Sequence, residues 1–154
     1  MSERQSRGPD TVPRALGHLR VALDDAYQRA SRELGLTAPQ AELLCAATNP
    51  AAVGRLAHQL RCDRTNVTHL VARAAERGWV ERRTDDEDAR LSLISLTPDG
   101  ERLARRFIKR LEAQLRPLLT NWSDKRQQAA IEMLSELAGQ LDRARAESPP
   151  QPGR

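Results

Sequence analysis

The residues best suited to chemistry in this chain lie between Asp63 and Gly78. Asp often begins a helix and Gly often ends one, so this segment is predicted to be helical. One face of the helix is apolar, with the spacing i, i+3, i+4, i+7: Val67, Leu70, Val71 and Ala74. The opposite face and its flanks are polar: Arg64, Thr65, Asn66, Thr68, His69 and Arg73. Such a face suits the major groove of DNA.

The two kinds of polar residue on this face predict two kinds of contact. Thr65, Thr68 and His69 stand near the N-terminal end of the helix, where side chains usually meet base edges. Hydroxyl and imidazole groups can form hydrogen bonds with those edges, and each good base contact contributes about 1–3 kcal/mol of discrimination. The flanking residues are better placed for phosphates, which position a protein without specifying sequence: Arg64, Asn66 and Arg73.

Two strands with a charged loop between them are predicted directly after this helix, over Trp79–Arg83 and Leu91–Leu96. Arg82 and Arg83 lie where the first strand leaves the domain, a position suited to backbone phosphates. The loop over residues 84–88 is acidic, which DNA would ordinarily repel.

An ordered set of short motifs resembles a known family. In chain order the motifs are Leu36–Gln40, Leu56–Ala57, Asp63–Thr68, Arg77–Arg82, Asp88–Arg90 and Leu96–Gly100. Together they resemble the MarR family of bacterial winged-helix transcriptional regulators from roughly Leu16 to Gly100, with a looser helical continuation to about Ala144. The resemblance implies a mainly α fold with a small β wing, in which a winged helix-turn-helix is flanked by N- and C-terminal dimerisation helices.

The resemblance also gives the charged loop a role. In this family an Asp-x-Arg at the wing tip lets the Asp brace the Arg, which enters the minor groove, and Asp88 and Arg90 match that pattern. Ala89 departs from it, because many members carry another Arg there. His69 stands where many relatives have Arg, which leaves base preference at that point open and could make binding sensitive to pH.

Helix signals and composition shifts, interpreted with the family resemblance, divide the chain into a flexible tail at 1–9, an N-terminal dimerisation helix at 10–35, a winged helix-turn-helix at 36–96, C-terminal dimerisation helices at 97–147 and a disordered tail at 148–154. Thr37–Gln40 reads as a capping box, and Pro117 predicts a kink or a local end. Aromatic residues make up only 3% of the chain and charged residues 30%, so a large monomeric core is difficult to build and dimerisation through helices would supply the missing apolar area. The family resemblance implies that the terminal helices interlock between two protomers. An intramolecular helical bundle is the alternative.

An effector and a thiol switch are further expectations. The resemblance implies a cleft for a small aromatic or anionic compound, and His18, Arg20 and Gln40 are candidates to border it. Surface or packing roles are the alternative for these three residues. Cys62 precedes the capping Asp63, so its oxidation could disturb the helix predicted over Asp63–Gly78. A structural cysteine is the alternative, because no resolving thiol is evident.

Composition excludes other classes. The chain has 25 Lys and Arg against 21 Asp and Glu, a net charge of +4 that permits nucleic-acid binding without requiring it. No apolar run approaches the roughly 18 residues of a membrane span, and no signal-peptide pattern follows Met1, so a cytoplasmic location is expected. The histidines, His18, His58 and His69, lack metal-ligand spacing, and no Gly-rich phosphate loop follows a strand. No cofactor, metal site or enzymatic activity is expected.

The sequence therefore predicts a homodimeric, sequence-specific DNA-binding regulator of a pseudo-palindromic duplex, released from DNA by a small molecule. Repression is expected because most of the family represses. The alternatives are a dimeric helical interaction module that has lost DNA binding, and a redox-sensing regulator that acts through Cys62.

Overall fold

The computed structural model describes residues 11–84, 88, 90 and 92–147, with side chains as far as 144. The tails predicted at 1–9 and 148–154, and most of the acidic loop, lie outside the described residues. The chain folds into two compact units, Met1–Gln114 and Leu115–Arg154.

Mainly helical structure with a small sheet fills the described residues, which confirms the predicted fold class. The helices and strands are α1 Val12–Arg32, α2 Ala38–Ala46, β1 Ala51–Ala52, α3 Val53–Leu60, α4 Arg64–Glu76, β2 Val80–Thr84, β3 Ser92–Leu96, α5 Pro98–Leu119 and α6 Asp124–Glu147.

Local sequence signals account for most helix starts. The Thr11 hydroxyl accepts from the Arg14 amide at the start of α1. The predicted capping box of α2 is confirmed: the Gln40 amide donates to Thr37 Oγ1 at 3.4 Å and the Thr37 amide donates to Gln40 Oε1 at 2.9 Å. At the start of α3, Ala52 offers no side-chain acceptor, as its sequence predicts.

Three helices end with the same pair of backbone hydrogen bonds, the Schellman motif. At α1 the motif uses Gly35 and at α4 Gly78, both with positive φ, at 69° and 71°. At α3 the same position holds Arg61, with φ 54°. A left-handed conformation suits glycine, whereas a Cβ is crowded there, so the turn before α4 carries strain.

The sheet is antiparallel with the order β1-β3-β2. The hairpin of β2 and β3 pairs Val80 with Leu96 at its base and Thr84 with Ser92 towards its tip. These strands confirm the predicted wing. The short strand β1 pairs Ala51 with Ile94 and is not among the predicted strands.

An aliphatic core fixes α4 against the rest of the first unit. Val67, Leu70, Val71 and Ala74 are all buried, which confirms the predicted apolar stripe. They belong to one cluster with residues from the other helices and the sheet of this unit, such as Leu43, Leu56, Ile94 and Phe107. Because α4 is held along this one face, its opposite face is presented to solvent.

The terminal helices are amphipathic but leave apolar side chains exposed. Leu16 and Leu19 of α1 are 36% and 41% exposed, and Ile131 and Leu141 of α6 are 58% and 64% exposed. Pro117 stands in the last turn of α5, which ends at Leu119, so the predicted local end lies two residues later. In the described part of the chain, each helix is too short or too polar to cross a membrane.

Candidate nucleic-acid interface

The N-terminal end of α4 is an ordered polar surface. Asp63 caps the helix, its Oδ1 accepting from the Asn66 amide at 2.8 Å. All the residues predicted to contact DNA from this helix are exposed: Arg64, Thr65, Asn66, Thr68, His69 and Arg73. The structure thus brings them together on one accessible face opposite the buried stripe.

Thr68 has a defined hydrogen-bonding capacity. Its hydroxyl donates to the Arg64 carbonyl at 2.7 Å, which uses its single hydrogen and leaves its lone pairs for a donor. In the major groove, adenine N6 and cytosine N4 are the donors. In this conformation the hydroxyl can therefore accept from adenine or cytosine, while Thr65 and His69 remain exposed beside it.

The side chains predicted to contact phosphates already make different contacts within the protein. The Asn66 side-chain amide donates to Asp63 Oδ2 at 2.6 Å, so it forms part of the cap. Arg73 Nε donates to the His69 carbonyl at 3.4 Å. The Arg64 guanidinium lies over the first turn of α3, where a Cβ added to Gly54 would come within 3.0 Å of its Nη2. The small size of Gly54 makes room for that cation.

The wing places further cations on the same unit. Arg82 and Arg83 are exposed on β2, and Arg83 Nε lies 3.2 Å from Glu81 Oε1. In the segment between β2 and β3, Asp88 Oδ1 accepts from the backbone amide of Arg90 at 2.9 Å. Asp88 therefore orders the chain at Arg90 through the backbone, and both residues are exposed. Their neighbours 85–87, 89 and 91 lie outside the described residues.

Comparison with known proteins identifies this arrangement. Residues 36–92, which include α2 to α4 and β2, match the model of the MarR family. The chain carries a MarR-family domain. The resemblance predicted from the sequence motifs is confirmed.

Relatives and solved structures extend the likeness beyond residues 36–92. The HTH-type transcriptional regulator YfiV of Bacillus subtilis (strain 168), itself uncharacterized, is 27% identical over 117 residues, which is 75% of this chain and 73% of the relative. A MarR family protein from Bacillus stearothermophilus has a TM-score of 0.75 at 22% identity, covering 85% of this chain and 93% of its own. CouR from Rhodococcus jostii RHA1, solved with p-coumaroyl-CoA, has a TM-score of 0.72 at 23% identity, covering 84% and 92%. These structures share the winged-helix fold.

The candidate effector residues lie on α1 and α2. His18 and Arg20 are exposed on α1, and Arg20 Nη1 pairs with Asp24 Oδ2 at 3.0 Å. The Gln40 side chain completes the α2 capping box, so its oxygen is already engaged by a backbone amide. An effector role for these residues stays a prediction.

Both cysteines are free and half-buried. Burial, followed by the nearby Glu42 carboxylate, raises the pKa of the Cys45 thiol, which makes it less reactive. Cys62 packs against the core beside the α3–α4 turn, and its role as a thiol switch stays a prediction. No cluster of three or more His, Cys, Asp or Glu side chains that could hold a metal is found among the described residues.

Sequence reasoning missed the backbone features that hold the interface in place. The left-handed Arg61 has no sequence signal, since glycine is the usual residue at such a position. Thr97 and Gly100 contact the backbone at the end of α4, and both lie in the motif Leu96–Gly100, which in the sequence contributes only to the family resemblance.

Proposed function

We propose that this MarR-family protein is a sequence-specific DNA-binding transcriptional regulator. The observation that carries the proposal is the exposed polar face of α4, which presents Thr65, Thr68 and His69 on the same unit as the wing arginine Arg90. The helix enters the major groove, and Arg90 enters the adjacent minor groove, where arginine responds to groove width and potential. Arg64, Arg73, Arg82 and Arg83 bind the phosphates.

The proposed operator is a pseudo-palindrome that binds two protomers. Exposed apolar side chains on α1 and α6, among them Leu16, Leu19, Ile131 and Leu141, support a homodimer formed through these helices. Two-fold symmetry then places the two copies of α4 in successive major grooves, about 34–36 Å apart. A small aromatic or anionic effector releases the DNA; CouR, which shares the fold, was solved with p-coumaroyl-CoA. Repression follows the family resemblance.

Selection of bound duplexes from random and genomic DNA tests this function. Enrichment of a pseudo-palindromic sequence is expected, because the base-contacting residues occur twice in the proposed dimer. If no duplex is enriched, the protein is not a sequence-specific regulator, and the interaction-module alternative takes its place.

The contribution of the wing is tested by Arg90→Ala. Removing the guanidinium from the minor groove should weaken operator binding at least about tenfold, measured by fluorescence anisotropy. Sedimentation should show an unchanged oligomeric state, because Arg90 lies outside the terminal helices. The matched control is Arg105→Ala, which removes an exposed arginine that pairs with Glu101 on α5. Equal affinity of Arg90→Ala and the wild type would remove the wing from the mechanism.

A further inference from the structure

Four residues join the end of α4, the proposed DNA-reading helix, to the start of α5. The Gly78 carbonyl accepts from Thr97 Oγ1 at 2.5 Å, and the Trp79 carbonyl accepts from the Thr97 amide at 3.0 Å. The same hydroxyl oxygen accepts from the Gly100 amide at 3.1 Å, which caps α5. Thr97 thus bridges two elements with its backbone and its side chain. We call Gly78, Trp79, Thr97 and Gly100 the α4–α5 junction.

Gly100 and the Trp79 carbonyl are so close together that no side chain fits between them. A Cβ added to Gly100 would lie 1.9 Å from the Trp79 carbonyl oxygen and 2.9 Å from its carbon. Gly100 is buried and its φ is not positive, so glycine is needed here for space rather than for conformation. The first turn of α5 therefore rests directly on the backbone that follows α4.

The junction also lies at the base of the wing. The amides of Gly78 and Trp79 end α4 by donating to the carbonyls of Ala75 and Ala74, each at 2.9 Å. The next residue, Val80, begins β2 and pairs with Leu96 at the end of β3. The angle between α4 and the hairpin is consequently set at Gly78 and Trp79, and their carbonyls are the groups that Thr97 holds.

We propose that Thr97 is a positioning residue that sets the wing relative to the reading helix, so that Thr68 and Arg90 reach their two grooves together. The inference rests on the proposed function, because it concerns how one protomer makes two DNA contacts. When the joint between two contacts is loose, the second contact must be ordered during binding, and affinity is lost although neither contact has changed.

A double-mutant cycle between Thr97→Val and Arg90→Ala tests the proposal. Thr97→Val alone should weaken operator binding about tenfold, and in the Arg90→Ala background it should weaken binding less than about twofold, because the minor-groove contact that Thr97 is proposed to position is then absent. Tenfold losses in both backgrounds would overturn the inference, since a purely structural role has no reason to depend on Arg90.

Two further variants at Thr97 and one control elsewhere test whether the effect comes from the hydrogen bonds of the Thr97 hydroxyl. Thr97→Ser keeps the hydroxyl and should retain wild-type affinity. Thr97→Asp keeps an acceptor for the Gly100 amide but cannot donate to the Gly78 carbonyl, so it should stay folded and show the same dependence on Arg90. Thr48→Val is the control for loss of a threonine hydroxyl, because Thr48 also donates to a backbone carbonyl, that of Leu44 at 3.4 Å, but only within the end of its own helix. Loss of affinity in Thr48→Val equal to that in Thr97→Val would also overturn the inference.

The two proposals fail in different ways. If the wild type enriches no duplex, the proposed function fails. If the wild type binds its operator and the cycle is additive, DNA binding stands and only the positioning role of Thr97 is lost.

Discussion

At the residue scale, the exposed face of α4 separates into side chains that can discriminate bases and side chains that bind charge. The Thr68 hydroxyl has its hydrogen committed to the Arg64 carbonyl, so it offers an acceptor of fixed direction. Arg73 is held by one bond from Nε to the His69 carbonyl, which leaves its terminal nitrogens for a phosphate. A directional acceptor and a cation have different effects on specificity.

Substitution of these two residues should therefore separate specificity from affinity. Thr68→Ala should reduce the ratio of operator binding to random-duplex binding, by about 1–3 kcal/mol if a base contact is lost. Arg73→Ala should weaken binding to both duplexes alike and lower the salt dependence, because a phosphate contact is sequence-independent. Both affinities are measured by titration at several salt concentrations. Parallel losses on the two duplexes for Thr68→Ala would contradict this division.

At the scale of elements, the helix ends show how the chain reaches the interface. The bonds of the motif at Gly78 are both 2.9 Å, whereas those at Arg61 are 3.3 Å to the His58 carbonyl and 3.2 Å from Cys62 to Ala57. The turn that leads into the reading helix thus adopts the glycine conformation with a residue that disfavours it. We therefore expect the backbone conformation of Arg61 to lower the free energy of unfolding.

Arg61→Gly should raise the free energy of unfolding by about 0.5–1 kcal/mol, because relief of the left-handed strain exceeds the added flexibility of the unfolded chain. Denaturant titration measures the change. Gly35→Ala is the matched control at the equivalent position of α1, and it should lower stability by a similar amount. A less stable Arg61→Gly would show that contacts of the arginine side chain outweigh the backbone strain.

Sequence predicted those elements whose signals are local. The capping box of α2 and the start of α4 follow from side chains three residues apart, and the structure has both. The strand β1 could not be predicted, because two alanines carry no periodicity and become a strand only by pairing with β3. The need for glycine at position 100 depends on the distant Trp79 carbonyl, which no local pattern shows. The residues proposed to contact DNA were predicted from helical periodicity and family motifs, and their roles await the experiments above.

At the scale of the whole molecule, the exposed apolar side chains of the terminal helices are the basis of the proposed dimer. On α6, apolar residues recur at spacings of three and four: Ile131, Leu134, Leu137 and Leu141. Of these, Ile131, Leu134 and Leu141 are exposed, Leu134 by 44%. Exposed leucines that recur along one helix face mark an association surface. A dimer formed there would also give the DNA-reading units the two-fold symmetry that a pseudo-palindrome requires.

Leu134→Glu should therefore separate the proposed dimer. A charge buried in an apolar interface should raise the dimer dissociation constant at least about 30-fold, the effect of losing a residue that contributes about 2 kcal/mol. Analytical ultracentrifugation over a range of concentrations measures the change. The control is Arg143→Glu, which lies opposite Leu134 on α6 at about 3.6 residues per turn and should leave the dimer intact.

DNA binding by the same variant connects assembly with recognition. On a single half-site, Leu134→Glu should bind like one wild-type protomer, because the reading unit ends before α6. On the full operator it should bind more weakly than the wild type, since two half-site contacts made by separate chains lose the advantage of linkage. If Leu134→Glu leaves the oligomeric state unchanged but lowers the free energy of unfolding, the leucine face of α6 is covered within one chain, and the intramolecular bundle replaces the dimer.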